Sequence, residues 1–358
     1  MATPEDLVYR PQLPKSYRPK IGIIGCGAIT VEHLSAYRTA GLDVVALCDM
    51  DVGRALKRQK DFFPAAKVYS QWREVTDRDD IEVVDITTHP RERVALIEGA
   101  LKARKHVLSQ KPFVLNLDNG ERLVELAAKQ SVKLAVNQNG RWAPHFSFAR
   151  AAIVAGLLGD VSSAHLSVQW DHTWVKGREF EKIKHLILYD FAIHWFDIVR
   201  CFLVGQEPKR VYASFAKTKG QSIRPPLLAQ ALIEFDHAQA SLSFDAETLL
   251  GPQDRTVIVG TRGSYVSAGA DLKTQQVTLT TAEGVYQPKL VGRWFPDGFA
   301  GTMGELLCAI EEKREPSNSA ADNLQSLALC FAAVASSESH MPKFPGEVRT
   351  ISGIDREE

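Results

Sequence analysis

From Lys20 onward the chain sets short, continuously apolar runs against longer stretches whose apolar positions recur every three or four residues. The runs at 20–25, 43–49, 82–86, 106–110 and 133–138, with a shorter one near Val68, predict strands. The stretches at 28–40, 51–61, 90–104 and 116–131 predict helices. Strands without polar alternation are covered on both faces, and strands alternating with helices of this length build a parallel, doubly wound sheet. After Arg141 the rhythm changes. A helix fits 145–157, a strand with two-residue alternation fits 161–170, and another helix fits 189–203. Strand-like runs follow near 208–216, 228–235, 239–246, 255–260, 263–268 and 274–280, punctuated by turn signals at Pro225-Pro226 and Glu283-Gly284. Helices at 300–314 and 321–338 close the chain.

The expected class is therefore α/β, in three parts. Residues 1–19 read as an extended arm, because Pro4, Pro11, Pro14 and Pro19 prevent a long helix. Residues 20–141 form the parallel-sheet domain, and 142–358 form an α+β domain on a mostly antiparallel, open sheet. The junction near residue 140 is where a ligand is expected.

The bulk numbers narrow the function. Lys plus Arg and Asp plus Glu both count 43 in 358 residues, so no basic field draws nucleic acid or anionic membrane. No run of about eighteen apolar residues spans a membrane. The first twenty residues lack the apolar core of a signal peptide. Cys26, Cys48, Cys201, Cys308 and Cys330 are scattered without a Cys-x-x-Cys pair, which reads as buried thiols in a reducing compartment, with neither disulfide nor zinc. A cytoplasmic protein is expected.

One segment carries the clearest chemistry. The first strand ends in Gly25-Cys26-Gly27, a helix begins at once with Ala28 and Ile29, and the second strand ends in Asp49. A dinucleotide needs all three: Gly25 for a tight turn, Gly27 for close backbone approach to the pyrophosphate, and a helix start whose free N–H groups face the phosphates. Asp49 is spaced to accept ribose hydroxyls. Thr30 replaces the usual third Gly or Ala. A 2′-phosphate would meet the Asp49 carboxylate, with Met50 and Asp51 next and Arg54 one helical turn on, so NAD is expected over NADP.

Three further segments have two readings each. Lys111, in Ser109-Gln110-Lys111-Pro112, follows a parallel strand on the side where such sheets bind ligands, or is simply a surface lysine. Asp190, His194 and Asp197 share a face of an otherwise apolar helix, as a proton-transfer group or as a satisfied core histidine with Asp190 as helix cap. Asn137-Gln138-Asn139-Gly140-Arg141-Trp142 leaves the last parallel strand and contacts ligand, or forms a well-bonded turn; Thr88-His89 at another strand end has the same two readings. Trp170, Asp171, His172, Trp174, Lys182 and His185 line a sugar site or a plain loop, and Trp294-Phe295-Pro296-Asp297 is a weaker candidate for the same wall.

Together, Gly-Ile-Ile-Gly-Cys-Gly-Ala-Ile, Lys-His-Val-Leu-Ser-Gln-Lys-Pro and Asp-x-x-x-His-x-x-Asp resemble the Gfo/Idh/MocA oxidoreductases, relatives of glucose–fructose oxidoreductase and inositol dehydrogenase. The resemblance runs from about residue 20 to the C-terminal helices. It implies a Rossmann domain, Lys111, Asp190 and His194 as catalytic groups, and a homodimer or homotetramer through the C-terminal sheet. The departures are Gln110 for the usual Glu, Ala192 for a common Gly, and His185-Leu186-Ile187-Leu188 for a Gly-rich stretch. The leading expectation is NAD-dependent oxidation of a secondary alcohol on a sugar, cyclitol or related polyol. Gly25, Gly27, Ala28, Ile29, Asp49, Thr88, His89, Gln110 and Asn137 would hold the cofactor. Arg141, Trp142, Asp171, His172, Trp174 and His185 would line the substrate. One alternative is a redox-neutral glycosidase or epimerase with tightly held NAD; another is a dinucleotide-binding sensor. No phosphate-binding Gly-x-x-x-x-Gly-Lys-Ser/Thr loop is present, and no metal is expected.

Overall fold

In the computed structural model, residues 3–271 and 274–351 are described. The chain forms two compact units. The first comprises Pro11–Trp142 together with Phe295–Leu324. The second comprises the N-terminal stretch to Arg10, Ala143–Trp294, and the chain from Gln325 onward.

The first unit holds β1 (Lys20–Ile24), α1 (Thr30–Thr39), β2 (Asp43–Cys48), α2 (Val52–Phe62), β3 (Lys67–Tyr69), α3 (Trp72–Thr76), β4 (Ile81–Ile86), α4 (Pro90–Lys102), β5 (His106–Ser109), α5 (Leu117–Gln130) and β6 (Leu134–Val136). The strands pair in parallel in the order β3-β2-β1-β4-β5-β6. The order reverses between β1 and β4, and beyond their carboxyl ends lies the place where such sheets bind ligands. This is the expected doubly wound sheet.

One expectation is corrected here. The second domain does not run unbroken from residue 142 to 358. Phe299, Met303, Leu306 and Leu307, from α8 (Trp294–Glu311), share a core with Ile21, Ile23, Leu34, Tyr37, Val44, Leu47 and Val83. The helix is broken at Phe295, where the backbone is extended (φ −107°, ψ 124°). The segment that follows α8 then closes the sheet edge: the Val136 N–H donates to the Asn318 carbonyl and Ala135 bridges to Ser319. The arm is likewise divided. Its part from Pro11 belongs to this unit, where the Glu311 carboxylate accepts the backbone N–H groups of Lys15, Ser16 and Tyr17 at 2.8, 2.6 and 2.8 Å. The Ser16 hydroxyl, which donates at 2.7 Å, and then these backbone bonds hold the Glu311 carboxyl at about 2.

The second unit contains α6 (Pro144–Val154), β7 (Val161–Gln169), α7 (Ile193–Phe202), β8 (Pro208–Ala216), β9 (Leu228–Phe235), β10 (Gln239–Asp245), β11 (Gln253–Gly260), β12 (Gly263–Asp271), β13 (Thr274–Thr281) and β14 (Gly284–Tyr286), with most of α9 (Ala320–Ser339). The eight strands lie in the order β14-β13-β12-β11-β7-β10-β9-β8, antiparallel except for β10 against β7. Alternation sorts the two faces. Ala164, Leu166, Val168, Ala231, Ile233 and Ile258 are buried. On the other face the register lines up Tyr212, Leu232, Ser241, His165, Val257, Val266 and Thr278 in one row across seven strands.

The single helix expected over 189–203 is instead two pieces: a π-helical turn, Leu186–Phe191, feeding α7. The sequence pattern also missed α3 and β14. Among the described residues, no helix is long and apolar enough to cross a membrane, and the five cysteines carry no disulfide.

Candidate functional site

The β1–α1 turn is built as a cradle. Gly25 has φ +97°, and a Cβ there would stand 2.9 Å from the Thr87 hydroxyl and 3.0 Å from a Thr88 methyl, so only glycine fits where the loop passes β4. Gly27 is the converse: a Cβ there would meet no protein atom within 4 Å. The space beside it is open. No side chain caps the N-terminus of α1, whose N-cap is Ile29, and Ala28 beside it is exposed. That leaves the helix dipole open to an anion. Thr30 explains its departure from Gly or Ala: its buried hydroxyl bonds the Gly25 carbonyl at 3.1 Å and lies 2.9 Å from the Thr87 hydroxyl. Asp49 accepts the Cys26 N–H at 2.7 Å and the Asp51 N–H at 2.9 Å, which fixes its carboxylate beside the loop. Arg58, from α2, donates to the Gly27 carbonyl at 2.8 Å, while Arg54 pairs with exposed Asp51. Burial and then Asp49 push the Cys26 thiol up to about 12, so it stays an inert thiol. These residues fit a dinucleotide.

Beyond β5, the Lys111–Pro112 peptide is cis. The Lys111 N–H donates to Gln110 Oε1 at 2.7 Å, and Asn137 Nδ2 donates to the same oxygen at 3.2 Å. Buried Arg93, on α4, donates to the carbonyls of Thr88, Gln110 and Pro112, joining two strand-end loops through one guanidinium. The Thr88 hydroxyl is buried without a protein partner, whereas His89 is exposed at the start of α4. Asn137, expected to touch ligand, is fully buried, and its Oδ1 accepts the Thr302 hydroxyl at 2.8 Å. Behind these lies a group that the sequence reading missed. His33 Nδ1 is 2.7 Å from Asp85 Oδ2, the Tyr37 hydroxyl donates to that oxygen at 2.6 Å, and His33 Nε2 lies 3.2 Å from both Gln110 Nε2 and Asn137 Nδ2. Burial and then Asp85 push the Tyr37 phenol well above its usual range. The available signal was an aspartate inside the apolar run Ile81–Ile86 and a His-x-x-x-Tyr pair on the buried side of a helix.

Arg141 and Trp142 are engaged within the first unit. The Arg141 guanidinium pairs with Asp322 and the Ser317 carbonyl. Trp142 packs against Gly301, where a Cβ would come within 2.2 Å of it.

In the second unit, His194 opens α7, only 7% exposed, with its ring edge-on to Trp294 at 5.4 Å. The structure thus brings together His194 and the weaker wall candidate Trp294. Asp190 lies in the π-helical turn, so it is not the cap of α7. Asp197 accepts the Ser326 hydroxyl at 2.8 Å and anchors α7 to α9. An aromatic group surrounds the stretch: His172 stacks parallel to Trp170 (6.0 Å, 7°) and touches Phe191 at 4.2 Å, and Trp170 meets Trp195. Trp174 is half-exposed under the Arg178 guanidinium. Asp171 caps its own loop by accepting the Thr173 N–H and hydroxyl at 2.8 and 2.6 Å. His185 is buried against Phe215 and bonds Glu338 at 2.8 Å; burial holds its imidazole below the usual range against the pull of Glu338.

Two family profiles match the chain. The one described as "Oxidoreductase family, NAD-binding Rossmann fold" matches residues 19–138, and the "GFO/IDH/MocA C-terminal domain" matches residues 146–266. The chain belongs to the GFO/IDH/MocA family. As a member of that family it is an NAD-dependent oxidoreductase. It is 26% identical over 331 residues to a D-apiose dehydrogenase of Paraburkholderia graminis, covering 89% of this chain and 88% of that one. It is 28% identical over 264 residues to an inositol 2-dehydrogenase of Rhizobium meliloti, covering 72% and 78%. Its fold is similar to that of an oxidoreductase from Agrobacterium radiobacter solved with NAD+, L-tartaric acid and magnesium, with TM-score 0.82, 23% identity, and 92% and 99% coverage.

Proposed function

We propose that this oxidoreductase oxidises a secondary alcohol on a sugar, cyclitol or related polyol. The observation that carries the reading is Lys111, which leaves the carboxyl end of β5 on a peptide held from behind by Gln110 and Arg93. The names of the apiose and inositol dehydrogenases support the substrate class. Bound NAD supplies the hydride acceptor. His194 takes the hydroxyl proton, and Lys111 hydrogen-bonds the same oxygen and stabilises negative charge as it develops. Asp190 orients the histidine or binds a neighbouring hydroxyl. Gly25, Gly27 and the start of α1 hold the pyrophosphate, and Asp49 binds the ribose and disfavours a 2′-phosphate. Aromatic faces such as Trp174 stack on the C–H face of the substrate. We assign the protein to the reducing cytoplasm and to a homodimer or homotetramer formed through the open sheet.

The test is NADH absorbance over a panel of sugars, cyclitols, sugar acids and glycosides, with NAD and with NADP. A substrate is expected with NAD. His194→Ala should then lower kcat by about 10²–10⁴ with NAD affinity nearly kept; unchanged turnover rejects its role. Silence across the panel, with NAD retained through purification, transfers the reading to a redox-neutral glycosidase or epimerase.

A further inference from the structure

The hydrogen bonds behind Lys111 can be followed from one group whose direction is fixed. A backbone N–H only donates, so the Lys111 N–H, 2.7 Å from Gln110 Oε1, settles which end of the Gln110 amide is oxygen. The same oxygen settles Asn137: a flipped amide would set two oxygens 3.2 Å apart. Both amide nitrogens therefore face His33 Nε2, each at 3.2 Å. An imidazole nitrogen that receives two N–H groups is an acceptor without a hydrogen. The ring hydrogen sits on Nδ1 and points at Asp85 Oδ2, 2.7 Å away, where the Tyr37 hydroxyl also donates. His33, Asp85 and Tyr37 are all fully buried.

We infer that His33 is a positioning residue for Lys111: Asp85 locks it as the neutral Nδ1–H tautomer, its Nε2 holds the amides of Gln110 and Asn137, and Gln110 passes that constraint to the Lys111 peptide. This deepens, and rests on, the role given to Lys111 above. It also gives a physical reason for glutamine at position 110. A carboxylate there would set an oxygen lone pair against the Nε2 lone pair, and the contact would survive only with a second proton on the ring. The amide keeps the chain intact with no proton to lose. The groups facing this contact are Asp85 from β4, Tyr37 from α1, Asn137 after β6, Phe299 and Thr302 from α8, and the Arg93 guanidinium on the Gln110 carbonyl.

The first experiment needs no activity: long-range ¹H–¹⁵N NMR of histidine-labelled full-length enzyme, with the His33 signals assigned by their loss in His33→Gln. A hydrogen on Nδ1 alone is expected. A hydrogen on Nε2, or on both nitrogens, overturns the inference. The second uses Gln110→Glu. Its His33 ring should carry both hydrogens at neutral pH, and its kcat should fall about tenfold as rising pH removes the extra one, a limb that the parent lacks. A pH profile that superimposes on the parent's overturns the positioning role even if the tautomer is as assigned. Lys111→Ala with unchanged turnover instead sinks the reading of Lys111 and leaves the tautomer result standing.

Discussion

Gly25 and Gly27 are two residues apart and differ in what a side chain would meet. At Gly25 both the left-handed backbone and the crowding by Thr87 and Thr88 oppose a Cβ, so Gly25→Ala should cost about 1–3 kcal/mol of stability. At Gly27 nothing of the protein opposes one. Gly27→Val should therefore leave the apo thermal midpoint almost unmoved, within about 0.5 kcal/mol, while dinucleotide affinity falls at least about tenfold. Thermal scans and fluorescence titration check both, and a destabilised apo Gly27→Val would contradict the assignment of that space to a ligand. The Gly25–Gly27 turn and the strand-end positions of Asp49 and Lys111 were legible in the sequence because each depends on a local signal. His33, Asp85 and Arg93 were not. Their partners come from α1, β4, α4, β5 and β6, and only the strand order brings those segments together. Arg141 read as a ligand contact because spacing cannot show that Asp322, far along the chain, meets it.

At the scale of elements, strand positions followed apolar patterning to within a few residues, since alternation and turn residues are local signals. The helix of His194 did not. Leu186, Ile187, Leu188 and Tyr189 are all buried, so this apolar run gives no periodicity that separates a π-helical turn from the start of an α-helix. Nor can an amphipathic pattern say which sheet it will cover, which is why α8 was placed with the wrong domain. The strand β11 shows the cost of a polar residue on the inward face. Asp254 is buried with both oxygens unpartnered, and burial, then Asp271, push its carboxyl up to about 7. The folded state thus favours the protonated form relative to the unfolded chain, whose carboxyl titrates near 4. Stability should be highest below about pH 4 on this account, fall as pH rises through about 7, and level off above, a span of at most about 4 kcal/mol. Asp254→Asn should be more stable than the parent at pH 8 and close to it at pH 4 in urea titrations. Parallel pH dependences for the two proteins would reject the buried-acid account.

For the whole molecule, the two-part architecture followed from the change of rhythm after Arg141, whereas the division of the arm and the return of Phe295–Leu324 depend on long-range packing. The row from Tyr212 to Thr278 leaves a broad, mixed sheet face outward, with Leu232 59% exposed on β9, beside the edge strand β8. A face of several strands is large enough for the roughly 1,600 Å² of a stable interface. If copies pair there, Leu232→Glu should shift sedimentation toward monomer without lowering the thermal midpoint of the subunit by more than about 1 kcal/mol. An unchanged mass would place the contact elsewhere.

The discontinuous first unit bears on the order in which the protein is made. Chains emerge from the ribosome amino end first, and domains tend to fold as they appear. Here the nucleotide-binding unit cannot do so, because Phe299, Met303, Leu306 and Leu307 of its core are translated only after the entire second sheet. Residues 11–142 expressed alone should be open and prone to aggregate, and supplying 295–324 through a short linker should restore a cooperative melt. The core beneath the cofactor cradle stays unfinished until synthesis is nearly over, so a truncated chain should lack NAD-linked activity at the level of its own folding.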